Sequence, residues 1–394
     1  MRTTLLRRAA SAAVALGLST LGLVAAGAAP AQAAISDCPS GYFCAWKTGN
    51  GTGTMFKTNT NKATLGTWNN KFTTVINRSS SLACLYDDAN YGLAHGYSTY
   101  QPREPWATSM NPYYSSLKFV RTVRECEGPA YPYWYAEPAP ELSGFGDMNA
   151  DRRSDLLVRD PVGRLWFLPG DGTGRLVGSG GWNAMSALTR HGDFSRDGRE
   201  DVLAREASTG KLWLYPGTGT GGFGARKLIG VGGWNGMTKI TAFGDLSGDG
   251  RSDLVAVEKS TGKLWLYPGT SAGGLGARKL IGIGGWNAMN TLVGAGDMNG
   301  DGHPDLVARE ASTGKLWLYP GRTGSVAPRK LIGTGGWNAM SSLIGVGDWS
   351  ADGRADLLAT SGDWLVQYRG VGTGGLRAGE RNNADWWGLN SGGF

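Results

Sequence analysis

A chain of 394 residues is long enough for more than one domain. Its formal charge of +7 is spread thinly, and no block of lysine or arginine forms a nucleic-acid arm. One long apolar run lies at the N-terminus, and no second run is long enough to span a bilayer.

Residues 1–33 read as an export signal. Arg2, Arg7 and Arg8 form a basic start, an Ala/Leu/Val run follows, and Ala31-Gln32-Ala33 is a small-residue cleavage site. Cleavage there lowers the formal charge to +4 and predicts a secreted, extracellular protein.

Residues 34–126 alternate short Thr/Val/Tyr/Phe-rich runs with Gly/Asn/Asp turns, the pattern of a small all-β domain. The chain's four cysteines, Cys38, Cys44, Cys84 and Cys126, all lie here. An even count in an exported chain predicts two disulfides, and three pairings are open. The segments CPSGYFCAW (38–46), LYDDANYGL (85–93) and NPYYSSLKFV (111–120) together resemble the βγ-crystallin-like module of a family of secreted bacterial peptidase inhibitors. That resemblance implies a Greek-key fold and the pairs Cys38–Cys44 and Cys84–Cys126. It also implies calcium oxygens from Asn69, Asn70, Thr73 and Thr74. A second such set would use Asn111, Ser115 and Ser116, although Pro112 departs from its pattern. The activity it implies is inhibition of metallopeptidases. No stretch here shows a reactive loop by its own chemistry.

Residues 127–142, EGPAYPYWYAEPAPEL, hold four prolines and four aromatics and read as a linker.

Residues 143–394 repeat one unit five times. Asp-x-Ser/Asn-x-Asp-Gly-x-x-Asp opens at Asp147, Asp193, Asp245, Asp297 and Asp348, with offsets of 46, 52, 52 and 51 residues. A short strand leads into each loop, as in ITAFGD (240–245) and LIGVGD (343–348). An apolar strand leaves it: DLLVRD, DVLARE, DLVAVE, DLVARE and DLLAT in turn. KLWLYPG at 211–217, 263–269 and 315–321, RLWFLPG at 164–170, and RKLIG complete four strands per unit. In KLWLYPG, Leu212 and Leu214 take one face and Trp213 and Tyr215 the other, so both faces need cover. Radially stacked blades provide it, whereas a linear solenoid leaves its end sheets open. The units resemble the FG-GAP/VCBS repeats of integrin-like propellers. The fold class is therefore all-β: a disulfide-bonded βγ-crystallin-like Greek-key domain plus a β-propeller of five four-stranded repeats. Five units imply five blades, or an assembly that completes a larger ring. The degenerate fifth unit, Trp364–Tyr368, suits a closing blade.

Hard oxygen donors at alternating positions before a sharp turn suit calcium. The predicted ligands are Asp147, Asn149, Asp151 and Asp155; Asp193, Ser195, Asp197 and Asp201; Asp245, Ser247, Asp249 and Asp253; Asp297, Asn299, Asp301 and Asp305; and Asp348, Ser350, Asp352 and Asp356. The Arg199 carbonyl can add another oxygen. Arg152 stands in the first loop where the others have glycine, which weakens that site in this reading. An EF-hand is excluded, because no Glu follows at the twelfth position and strands flank the loop. Without a cation, three clustered carboxylates would repel one another. Fifteen of the 32 acidic residues are the aspartates of these loops, so bound calcium would leave the remaining surface more basic.

Gly-Gly-Trp-Asn recurs at Trp182-Asn183, Trp234-Asn235, Trp286-Asn287 and Trp337-Asn338. A Trp face beside an amide can hold a sugar, so glycan or cell-surface polysaccharide is the expected partner, with a secreted peptidase as the alternative. The competing role for each Trp is a wedge between blades. Catalysis finds little support: His95, His191 and His303 have no metal-binding spacing, and no Gly-x-Ser-x-Gly elbow occurs.

Overall fold

The computed structural model describes residues 33–105, 107–109, 113–139, 145–382, 385–389 and 393–394. The expected signal segment lies outside these residues except for Ala33, as do Asn111 and Pro112 of the second βγ-type loop. Among the described residues no helix is long and apolar enough to cross a membrane.

The N-terminal part is two antiparallel sheets face to face. One runs Met55–Thr58, Phe43–Trp46, Thr74–Asn77, Thr108–Ser109 in spatial order; the other runs Tyr97–Tyr100, Leu82–Tyr86, Ser116–Val120. The two-residue period of a strand explains how so few residues make a core. Phe43 and Ala45 point inward to meet Phe72, Val75, Ala83, Leu85 and Leu117. Their neighbours Cys44 and Trp46 point outward with Cys38 and Ile76. On the other sheet, Leu82, Cys84 and Tyr86 form an outer cluster with Cys126. The disulfides are Cys38–Cys44 and Cys84–Cys126, the pairs that the resemblance implies, and no described cysteine is free. Each closes the outer face of one sheet. The second spans 42 residues, worth about 4 kcal/mol in the chain-entropy account.

The rest is a ring of five antiparallel sheets. Blade 1 contains Leu156–Arg159, Leu165–Leu168 and Arg175–Gly178. Blade 2 is Met185–Thr189, Val202–Glu206, Leu212–Tyr215 and Lys227–Gly230. Blade 3 is Met237–Gly244, Asp253–Glu258, Leu264–Tyr267 and Lys279–Gly282. Blade 4 is Met289–Gly296, Asp305–Glu310, Leu316–Tyr319 and Lys330–Gly333; blade 5 is Ser342–Gly345, Leu357–Ser361, Trp364–Tyr368 and Glu380–Arg381. Five separate apolar clusters fill the five junctions between neighbours, including the one between blades 5 and 1, where Ile344, Val346 and Leu358 meet Leu156, Val158 and Leu168. The ring therefore closes within one chain.

Its closure has a feature that repeat counting does not show. In blades 2 to 5 the innermost strand is the segment just before the Asp loop. In blade 1 the inner neighbour of Leu156–Arg159 is Gly393–Phe394: Leu157 N–H donates to the Phe394 carbonyl (3.0 Å), and Phe394 N–H donates back (2.9 Å).

The Pro-rich segment is docked along the ring. Trp134 is fully buried at the junction of blades 5 and 1, and its Nε1–H donates to the Ser154 carbonyl. Ala136, Glu137 and Ala139 donate backbone N–H groups to Gly170, Trp349 and Arg152. The first domain is fixed to the ring by Glu125, which takes a two-pronged contact from Arg164 (Nη1 3.2 Å, Nη2 3.0 Å). Burial pushes the Glu125 carboxyl up, but the Arg164 guanidinium and the Thr122 donors outweigh it and hold the group below its usual range. A carboxylate lowered in the folded state adds stability above its unfolded pKa and loses it as pH falls through the folded value. Glu125→Gln should therefore cost about 3 kcal/mol of docking stability at neutral pH, and acidification below roughly pH 4 should act in the same direction. Faster protease cleavage within 127–139 would report it; wild-type cleavage rates in the variant would count against the contact.

Candidate functional site

The five Asp loops share one backbone path. Two positions in each take left-handed φ: the fourth (Ala150, Arg196, Gly248, Gly300, Ala351) and the sixth (Arg152 at +68°, Gly198, Gly250, Gly302 and Gly353 at +77° to +83°). Arg152 thus adopts the turn that the other loops make with glycine, at a steric cost. The first Asp of each loop accepts backbone N–H groups from within the loop. Asp193, for example, takes Asp197 N–H (3.1 Å) and Gly198 N–H (2.8 Å).

The last Asp is fully buried in every unit: Asp155, Asp201, Asp253, Asp305 and Asp356. It joins the loop to the blade. Asp201 accepts Ser195 N–H (2.6 Å) on one oxygen and Gly217 N–H (2.8 Å) on the other. Asp253 and Asp356 repeat both bonds, and Asp305 does so with Met298 N–H as the loop donor. Asp155 keeps only the first, from Met148, and its Oδ1 has no partner. Burial drives these carboxyls up, with Asp155 pushed to about 8 and Asp201, Asp305 and Asp356 to about 6; neighbouring loop aspartates add to the rise. Asp253 is also raised. In blades 1 and 2 an oxygen from each of three aspartates lies within 4.8 Å of the others: Asp147, Asp151 and Asp155, and Asp193, Asp197 and Asp201. In every loop the middle Asp also meets a neighbour: Asp249 meets Arg251 (2.7 Å), Asp352 Arg354 (3.6 Å), Asp197 Arg199 (3.9 Å), and Asp301 and Asp151 accept from the Asn299 (3.0 Å) and Asn149 (2.9 Å) amides. Asp297, Asp245 and Asp348 hold the same loop position as Asp193, while Asn149, Ser247 and Ser350 match Ser195. The all-oxygen donors and the orphaned Asp155 oxygen fit a hard cation. The first loop, expected to be the weak one, also brings its three carboxylates within 4.8 Å of one another.

The Trp-Asn pairs are not open platforms. Trp182, Trp234, Trp286 and Trp337 are each 7–8% exposed. Each indole lies against an aromatic ring of the next blade, at 4.5–4.8 Å from Tyr215, Tyr267, Tyr319 and Tyr368. The amides of Asn183, Asn235, Asn287 and Asn338 donate to the carbonyls of Pro161, Ala207, Lys259 and Ala311, locking the turn before the Trp. The expectation of a sugar stacked on these indoles is therefore corrected: buried rings and engaged amides make this motif a wedge between blades.

Sequence reasoning missed the residues that do face outward beside the wedge. Arg226, Arg278 and Arg329 stack over Trp213, Trp265 and Trp317 at 3.9–4.0 Å. Arg278 and Arg329 also reach Glu258 (3.3 Å) and Glu310 (3.9 Å). Their signal was present as an Arg and a Glu at fixed places in units two to four. Between blades 3 and 4 these groups border a cleft of about 600 Å³ with Trp286 and Tyr319 in its wall and the exposed Ile283 at its lip.

In the first βγ-type loop, the hydroxyls of Thr73 and Thr74 donate to the carbonyls of Lys47 and Thr48, and Asn70 holds a left-handed turn at φ +54°. These residues form the turn; of the second loop, Ser116 donates to the Asp88 carbonyl and Ser115 lies 3.5 Å from Asn70 Oδ1. His191 is buried against Phe145, with ring centroids 4.0 Å apart, which makes it a packing residue.

Residues 31–98 match the family model of peptidase inhibitor family I36. Residues 193–256, 245–308 and 297–359 match that of an FG-GAP-like repeat. The chain thus carries one segment similar to family I36 and three similar to the FG-GAP-like repeat, the first unit lying outside the matched segments. No curated protein matches it. Among solved structures it is similar to an Agrocybe aegerita lectin described as recognising non-reducing terminal N-acetylglucosamine (20% identity, 61% of this chain and 65% of that one, TM-score 0.38). It is also similar to the Photorhabdus luminescens Tc holotoxin pore (15%, 64% and 13%, 0.32) and the Dos1 propeller (10%, 55% and 50%, 0.27). The chain spans less than two thirds of the length of each.

Removing a wedge should be costly. Trp286→Ala is expected to lower the stability of the ring by roughly 3–5 kcal/mol, read from chemical denaturation. Arg152→Gly should raise it by about 1 kcal/mol by relieving the left-handed backbone. A neutral Trp286→Ala would contradict the wedge.

Proposed function

We propose that this is an exported, non-enzymatic, calcium-binding protein whose propeller attaches to cell-surface or environmental glycan. In this reading calcium lies in the Asp loops, held by the first, third, fifth and ninth residues of each run. Its charge offsets the buried carboxylate at the root of each blade. The observation that supports the glycan reading is the cleft between blades 3 and 4, where the Glu310–Arg329 pair stands beside an aromatic wall. Polar groups that both donate and accept, set against ring edges, suit sugar hydroxyls and the apolar face of a pyranose. Units two and three repeat the Arg-over-Trp arrangement, so several weak sites on one ring would act together.

A second reading, secreted inhibitor of a metallopeptidase, rests on the family I36 match over residues 31–98. The propeller would then be a targeting or stabilising partner.

Two measurements on the full chain separate these readings. Glycan-array binding that disappears with Arg329→Ala but survives in a fold-neutral surface variant supports the first. Stoichiometric inhibition of a thermolysin-type peptidase, with no glycan retained, supports the second. Calcium removal should lower the melting temperature in either case, since each bound ion contributes about 2.7 kcal/mol at a hundredfold excess over its dissociation constant. An unchanged melting curve after thorough chelation would remove calcium from the account.

A further inference from the structure

The central channel of the ring opens into a vestibule of about 450 Å³ on the face where the Gly-Gly-Trp-Asn turns deliver the inner strands. Its deeper end is lined by Arg190, His191 and Gly345, with Phe145 packed on His191. Arg159, Arg205 and Lys239 line the vestibule, and no aspartate or glutamate is among its described lining residues. The two arginines are held in place: Nη1 of Arg159 donates to the Trp182 and Met185 carbonyls, and Nη1 of Arg205 to those of Trp234 and Met237.

Lys239 is different. Its ammonium has no hydrogen bond or ion pair among the described residues, and burial alone pulls its pKa down. It also sits at φ +50°, where the pairing register of the inner strand shifts between Thr238 and Thr241. The matching residues Ala187, Thr291 and Ser342 have no such backbone. A long, partly desolvated, unpaired cation on a strained residue is stability given up at one place in an otherwise regular ring.

We propose that this vestibule binds the carboxylate of an acidic sugar, with Lys239 as the charged anchor. The side chains of the vestibule lining carry three cations, Arg159, Arg205 and Lys239, and no described Asp or Glu, a balance that favours an anion. The hydroxyls of Thr238 and Ser341 line the same mouth, where Ser186 and Asn290 are bonded to Arg205 and Arg309, and Ile240 and Phe394 supply an apolar floor. Hydroxyl groups beside an unpaired cation match a uronate better than a bare inorganic ion, and the volume accommodates one sugar ring. The site is separate from the clefts between blades.

The test is calorimetric titration of the calcium-loaded full chain with glucuronate, glucose and sulfate at neutral pH. Glucuronate should bind at one site and glucose at least about tenfold more weakly. Lys239→Asn, which removes the charge and tolerates left-handed backbone, should weaken glucuronate by at least about tenfold at an unchanged melting temperature. Lys239→Arg should retain binding. Absence of glucuronate binding, wild-type affinity in a folded Lys239→Asn, or sulfate binding as tightly as glucuronate would each overturn the proposal. Neutral-glycan binding at the clefts should be indifferent to Lys239→Asn, which keeps the two readings distinguishable.

Discussion

One buried carboxylate per blade organises the ring. Asp155, Asp201, Asp253, Asp305 and Asp356 have no exposure, and in blades 2 to 5 each ties the Asp loop to the end of the third strand through two backbone N–H groups. The bonds stabilise the anionic form while burial opposes it. The rise to about 6 in three of these groups and about 8 in Asp155 shows that burial prevails. Nearby aspartates make the ionised state still less favourable. A bound cation would neutralise the cluster without giving up the N–H bonds. Strand geometry and loop conformation thus meet in one electrostatic problem posed at each blade root, which the proposed calcium would answer.

Features determined by neighbouring residues were legible in the sequence. The Asp runs specify their own turn, because alternating side-chain oxygens and left-handed positions are local properties. KLWLYPG showed that both faces of a strand need cover, and Leu212 and Leu214 are indeed fully buried. Its other face packs on the preceding blade through Tyr215 against Trp182, while Trp213, half-buried, carries the stacked Arg226 guanidinium. The direction of the Gly-Gly-Trp-Asn side chains was not legible. Whether an indole is a platform or a wedge depends on Tyr215, Tyr267, Tyr319 or Tyr368, each supplied by the following blade. Arg152 shows a related point about conformation: a residue type that disfavours a turn does not prevent it when the surrounding bonds impose it.

The wedges and the Arg-over-Trp stacks divide the aromatic residues by task. Trp182, Trp234, Trp286 and Trp337 fill junctions, whereas Trp213, Trp265 and Trp317 form the base of outward-facing cationic pairs. The rigid part of each junction thereby presents its polar groups at a fixed spacing around the ring. The docked segment around Trp134 extends that rigidity to the first domain, whose Glu125 is clasped by the first blade.

The bonds between Leu157 and Phe394 set the order in which the ring can form. Blades 2 to 5 are built from strands adjacent in sequence, so their hairpins can assemble from local encounters. The inner edge of blade 1 must instead wait for a segment at the far end of the repeat array. Bringing those ends together carries the loop-closure entropy of nearly the whole domain, and little of that cost is recovered until the other blades have shortened the distance. Ring closure is therefore a late event on the folding path. Until it occurs, blade 1 exposes an unpaired strand edge, the type of surface through which partly folded chains associate with one another.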